Sequence, residues 1–211
     1  MLDVLFPKRC VLCGSGRSGL CEACIGQLVG PADRPPPPAV DRLVAICAYE
    51  GAGRELVLAL KRGNRRAAVP LLGAALAEVV GPRRAAEPTA AEPLVTWAPT
   101  TAERRRERGF DQAELLARAV ARALGLTTHR LLERTGASQM GHDASERRSN
   151  PGFGPRNTGR APSVLNRDCL LVDDVVTTGS TMACAARVLR AAGASSVVGL
   201  AIALTPQRTP R

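Results

Sequence analysis

The sequence predicts an α/β domain, a mainly parallel sheet flanked by helices, preceded by a small four-cysteine module. Three observations carry this. Apolar runs of strand length at 43–49, 94–98, 130–133, 169–173 and 196–204 alternate with amphipathic helix-forming segments, as in parallel strands joined by crossover helices. The apolar residues Leu170, Leu171 and Val172 lead through Asp173 and Asp174 into a Thr/Gly/Ser turn and then a helix. That puts a polar turn at the carboxyl end of a strand, where open α/β sheets bind ligands. Finally, Cys10-x-x-Cys13 and Cys21-x-x-Cys24 lie within fifteen residues of chain. Two such knuckles present four thiolates to one tetrahedral ion, and zinc is the metal that suits them. Disulfides or a redox pair are the alternatives. The short closure and the lack of a histidine point to a structural zinc.

Composition narrows the function. The 211 residues carry a formal charge of +10. A nucleic-acid surface is one explanation. However, Lys8 and Lys61 are the only lysines, and the arginines accompany abundant Ala, Gly and Pro, which reads equally as a compositional bias. Aromatics make up 2% of the chain, too few for a platform on which successive bases stack. No run is long enough to span a membrane. Asp3 and the short apolar start do not resemble a signal peptide, so the chain is expected in the cytoplasm, with its cysteines reduced.

Taken in order, residues 1–30 form the zinc module and 31–39, with four consecutive prolines, a stiff linker. The α/β domain spans 40–205, and 206–211 is a polar tail. The linker predicts that the two parts fold separately. Within the domain, strand 43–49 turns at Gly51 into helices at 54–61 and 67–80, and 81–93 reads as an exposed loop. Strand 94–98 runs into an arginine-rich stretch that includes Arg104, Arg105, Arg106 and Arg108. A helix at 113–124 follows, ended by Gly125. Residues 135–160 form a long polar stretch, which reads either as a lid or as a flexible loop with no catalytic role. Strand 196–204 completes a βαβ unit with the motif helix. Cys47, Cys169 and Cys184 have apolar neighbours and are expected in the core.

The turn at 177–181 has the chemistry of an anion site. The first N–H groups of a helix have no internal partner, and the helix dipole favours negative charge there. Gly179 permits close backbone approach, while Thr177, Thr178, Ser180 and Thr181 add hydroxyls. A P-loop is excluded, since no Gly-Lys-Ser/Thr is present. Asp173 and Asp174 would repel a bare phosphate. They fit a phosphate attached to a group whose hydroxyls donate to carboxylates, or one with a divalent cation between. Ribose 5-phosphate meets both conditions. Arg108, beside a strand end and a helix start, belongs to a second anion site.

The run from Leu170 to Thr181 resembles the phosphoribosyl-diphosphate (PRPP) motif of type I phosphoribosyltransferases, and Arg108-Gly109-Phe110 is similar to their pyrophosphate loop. A wider resemblance covers most of the chain, to the ComF family, phosphoribosyltransferase-like proteins associated with DNA uptake in bacteria. Its zinc module looks like Leu5-Phe6-Pro7 followed by the two Cys pairs. Tyr49, Gly51, Arg54, Leu60 and Lys61 match a second stretch. The third, R-x-R-x-R-G-F-[ND]-Q-A-E-x-L-A, matches from Arg104 to Ala117. Gln139, Gly141, Glu146, Arg147 and Asn150 stand at the spacing of its lid motif.

This resemblance implies a type I phosphoribosyltransferase-like fold with a zinc-ribbon-like module. Asp173 and Asp174 would hold ribose hydroxyls, directly or through Mg²⁺. Thr177, Thr178, Gly179, Ser180 and Thr181 would take the 5-phosphate, Arg108 and Gly109 the pyrophosphate, and Gln139, Arg147 and Asn150 the lid. Cys10, Cys13, Cys21 and Cys24 would bind zinc. One functional expectation is phosphoribosyl transfer with release of pyrophosphate. The other is a non-catalytic nucleotide sensor, with single-stranded DNA or DNA-processing proteins as partners. Thr177 stands where enzymes of this class acting on 6-oxopurines usually have a proton-transferring aspartate.

Overall fold

The structure, a computed structural model, describes residues 9–16, 18–31, 33–61, 66–86, 91–135, 152–156 and 161–206. Its elements run α1 (Glu22–Ile25), β1 (Arg42–Ala48), α2 (Gly51–Lys61), a 3-10 turn (Arg66–Ala68), α3 (Val69–Ala86), β2 (Leu94–Trp97), α4 (Ala102–Arg108) and α5 (Gln112–Leu124). They continue through β3 (Leu132–Arg134), β4 (Phe153–Pro155), β5 (Asp168–Val172), β6 (Val175–Val176), α6 (Ser180–Ala191) and β7 (Ser196–Leu204).

The central sheet has the order β1-β7-β5-β2, every pair parallel. Alternation along the strands decides which face each residue serves. Val95 and Trp97 of β2 and Leu170 and Val172 of β5 pack with Leu56, Leu60, Leu72 and Leu116 of α2, α3 and α5. Leu94, Cys169 and Leu171 pack on the other face with Met182, Ala186 and Leu189 of α6. β7 is buried along most of its length, as the centre of a parallel sheet requires. Among the described residues no helix is long and apolar enough to cross a membrane.

Helix ends carry the expected signals. Asp111 caps α5, its Oδ1 accepting from Ala113 N at 3.1 Å and Glu114 N at 3.4 Å. Gly125 ends the helix in the left-handed conformation.

Four sequence expectations change. The strand expected at 130–133 in the main sheet is displaced to Leu132–Arg134, and it pairs antiparallel with β4 in a separate two-stranded sheet. The chain touches the outer edge of β2 through one bridge, Val95 to Thr128, and then turns away. β4 also places a strand inside 135–160, a stretch whose sequence predicts none. The loop expected at 81–93 is helical as far as Ala86. The Ala, Leu and Val residues before Gly81 propagate the helix cooperatively, and one Gly-Pro step does not stop it. Of the three further cysteines, Cys47 and Cys169 are fully buried, whereas Cys184 is only half-buried.

The expectation of separate folding also changes. Cys10, Val11, Leu20 and Cys24 belong to the same buried cluster as Leu56, Leu60 and Leu72. A Cβ on Gly19 would lie 2.0 Å from the carbonyl oxygen of Ala67, so the module's loop is pressed against the 3-10 turn. Val29 O accepts a hydrogen bond from Ala48 N at 2.9 Å. The proline-rich segment is short and stiff, and instead of spacing the module away it holds it against the domain.

Candidate phosphoribosyl site and zinc ribbon

The candidate site begins where β5 ends. Asp173 N still donates to Leu200 O at 2.9 Å, and Ile202 N donates to Asp174 O at 3.1 Å. β6 resumes pairing with β7 in the same register, Val172 opposite Leu200 and Val175 opposite Ala203. The acidic pair is therefore fixed through its backbone at an interruption between two short strands. Asp174 N donates to Asp173 Oδ1 at 2.8 Å. Lys61 Nζ, at the end of α2, lies 2.8 Å from Asp174 Oδ2. Burial, and then the neighbouring Asp174 charge, push the Asp173 carboxyl well above the usual carboxylate range, against the opposing pull of Asp174 N–H and Lys61.

Asp173, Asp174, Thr177, Thr181 and Arg108 line one cavity of about 240 Å³ with Lys61, Arg104, Asp111 and Arg134. Gly109, with φ +74°, ends α4 and turns the chain toward Asp111. Asp111 also accepts from Thr100 N at 2.9 Å, tying together the two ends of the arginine-bearing segment. Burial raises its carboxyl, opposed by the N–H groups it accepts from. Thr178, Gly179 and Ser180 form the loop beside the cavity. The hydroxyls of Thr178 and Ser180 lie 2.9 Å apart and engage each other. The Thr177, Thr178 and Gly179 N–H groups have no protein acceptor among the described residues. Gln139, Arg147 and Asn150 lie outside the described residues.

Lys61 and Arg134 join the site although neither belongs to the motif that marks it in the sequence. Lys61 carries a signal, as one of two lysines in an arginine-rich chain. Arg134 carries none, because the sequence places its strand in the main sheet. Gln112 is buried at the same cavity, and neither atom of its amide is paired among the described residues.

The N-terminal segment reaches this site directly. Arg34 Nη1 donates to Thr177 O at 2.6 Å and Nη2 to Thr178 O at 3.2 Å. Peptide bonds here are trans, so the N–H groups of Thr178 and Gly179 point away from Arg34. Gly179 has φ +87°, and a Cβ there would come within 2.8 Å of Pro37 Cγ. The 177–181 loop is thus held from behind by the segment that follows the ribbon.

In the ribbon itself, the Sγ atoms of Cys10, Cys13, Cys21 and Cys24 all lie within 4.8 Å of one another. Cys13 and Cys21 are 3.7 Å apart, matching the edge of a tetrahedron with Zn–S bonds of about 2.3 Å. Burial raises the Cys10 thiol, but hydrogen bonds from Cys13, Cys21 and Leu12 outweigh it and bring it down to about 6. Cys24 is pushed up to about 12, first by Cys21 and then by burial and the other thiols. Four sulfurs this close cannot all ionise without a cation between them. The donor set and spacing fit zinc.

The chain is similar to known families and proteins. Residues 108–210 match the phosphoribosyl transferase domain family, and residues 1–36 match the double zinc ribbon domain. The chain is 32% identical over 194 residues to the DNA utilization protein YhgH of Salmonella typhi, covering 89% of this chain and 80% of that protein. It is also similar to the crystal structure of TT1426 from Thermus thermophilus, with 20% identity and a TM-score of 0.42, over 70% of this chain and 86% of that one. Fold and site define a phosphoribosyltransferase-type domain carrying an N-terminal zinc ribbon. The chain belongs to the ComF family.

Proposed function

We propose that this protein binds PRPP, or a nucleotide carrying ribose 5-phosphate, at 173–181 and transfers the phosphoribosyl group to an acceptor with release of pyrophosphate. The observation that carries this is the cavity's mixed charge. Arg104, Arg108 and Arg134 share it with the acidic pair, and Lys61 neutralises only one member of that pair. The arginines suit a pyrophosphate, the N–H groups of the 177–181 loop suit a 5-phosphate, and the carboxylates suit ribose hydroxyls between them. Asp173 and Asp174 also fit Mg²⁺ held through water, which would neutralise charge on the leaving pyrophosphate. The name of the Salmonella relative supports a role in handling DNA. A cytoplasmic location accords with reduced thiols at the ribbon.

Pyrophosphate release, measured with PRPP, Mg²⁺ and a panel of nucleobases, with and without single-stranded DNA, tests the proposal. Hypoxanthine and guanine are expected to be poor acceptors, because the Thr177 hydroxyl does not take up a proton near neutral pH. Rapid turnover of either contradicts that expectation. PRPP binding without release by any acceptor favours the alternative, a sensor using the same cavity.

Arg34→Ala frees the carbonyls of Thr177 and Thr178. Ribose 5-phosphate affinity is expected to fall several-fold, roughly 1 kcal/mol, as two hydrogen bonds that orient the loop are lost. Zinc content should not change. Calorimetry returning the wild-type affinity would show that the loop holds its shape unaided.

A further inference from the structure

Helix α4 divides its arginines between two cavities. Arg104 and Arg108 line the candidate phosphoribosyl site, while Arg105 lines a separate cavity of about 360 Å³ beyond the outer edge of β2. Arg118, Arg130 and Arg156 line that second cavity too. Its single carboxylate among the described residues is Glu114, which pairs with Arg105 at 3.4 Å and Arg118 at 2.7 Å. Four arginines against one glutamate leave +3, and neither Arg130 nor Arg156 is in direct ion-pair contact with a carboxylate among the described residues. Trp97 also lines the cavity. It is 5% exposed, and its indole N–H has no acceptor among the described residues.

We propose that this cavity is a second phosphate site, taking the pyrophosphate group of a small molecule such as a nucleoside diphosphate or free pyrophosphate. The unpaired buried atom of its lining, Trp97 Nε1, is a donor, and its charge is mainly cationic, so the complementary ligand is an oxyanion. Guanidinium groups pair with phosphate oxygens in a planar, bidentate fashion, and they are here gathered around a concavity of small-ligand size, not strung along a groove as a polymer would need. A diphosphate carries about the charge that balances +3. The site does not depend on the phosphoribosyl proposal, since none of its lining residues lines the other cavity.

Trp97 is the chain's one tryptophan, so its fluorescence reports on this cavity. Titration of the full-length, zinc-loaded protein with sodium pyrophosphate at constant ionic strength is expected to give a saturable change in emission. ADP in place of pyrophosphate separates the two sources: tighter binding of ADP assigns the site to a nucleotide, and equal or weaker binding to free pyrophosphate. In Arg130→Gln/Arg156→Gln the midpoint should move at least about tenfold higher, while Arg108→Gln keeps the wild-type response. No saturable change in the wild type, or the same change with chloride alone, overturns the proposal. So does a response lost in Arg108→Gln but kept in the double variant, because the signal then comes from the other cavity. Single Arg156→Gln, with its melting temperature measured, gives the same test if the double variant does not fold.

Discussion

Asp173→Asn with Asp174→Asn is expected to weaken PRPP binding about a hundredfold or more and to leave pyrophosphate binding unchanged or tighter. The double substitution keeps the shape of the interruption between β5 and β6, whose backbone hydrogen bonds to Leu200 and Ile202 do not involve the side chains. What it removes is charge. A carboxylate accepts from a ribose hydroxyl with a charge-assisted bond worth roughly 1.5–3 kcal/mol, and two such bonds are lost. Lys61 loses its partner Asp174 and becomes a free cation at the cavity, so simple anions gain. Calorimetry with the two ligands separates these effects. Equal PRPP affinity in both proteins would make the acidic pair structural and remove the main support for a phosphoribosyl site.

Cys10→Ser with Cys13→Ser is expected to abolish zinc binding and to lower the melting temperature of the whole chain by roughly 5 °C or more. A free module would lose its metal without disturbing the domain. Here Val11 and Leu20 are buried in the cluster that holds Leu56, Leu60 and Leu72. Burial of such a side chain contributes about 1.5–3 kcal/mol, and releasing the ribbon exposes both sides of the contact. Elemental analysis and a thermal melt of the same sample decide the matter. Zinc at full occupancy refutes the ligand assignment, and zinc lost with no change in melting refutes the shared core.

What is legible in the sequence follows from how local each signal is. The strand–turn–helix around Asp173 and the two Cys pairs are encoded within a few residues, so their chemistry can be read directly. The parallel sheet is legible because β5, α6 and β7 follow one another as apolar run, amphipathic helix and apolar run. Arg134 is not, because its place depends on β3 leaving the edge of β2 to pair with β4, a choice made between distant segments. The docking of the ribbon is hidden for the same reason. Four prolines imply stiffness, but stiffness alone does not say whether a segment spaces two bodies apart or clamps them together. Arg34 lies 143 residues from its acceptor on Thr177.

That separation has a consequence for how the chain is made. The ribbon emerges from the ribosome before the domain it docks on, and its four ligands lie within one short stretch, so it can take its metal as soon as it appears. Leu56, Leu60 and Leu72, on which it docks, come next. The loop that Arg34 grips is synthesised on the order of ten seconds later, at about 5–20 residues per second. During that interval Arg34 lacks the Thr177 and Thr178 carbonyls that hold it. The closure of Arg34 and Pro37 over Gly179 therefore waits until residues 177–179 have been made. A nascent chain with its metal bound and its central sheet incomplete is the state in which the proline segment would be most open to proteases.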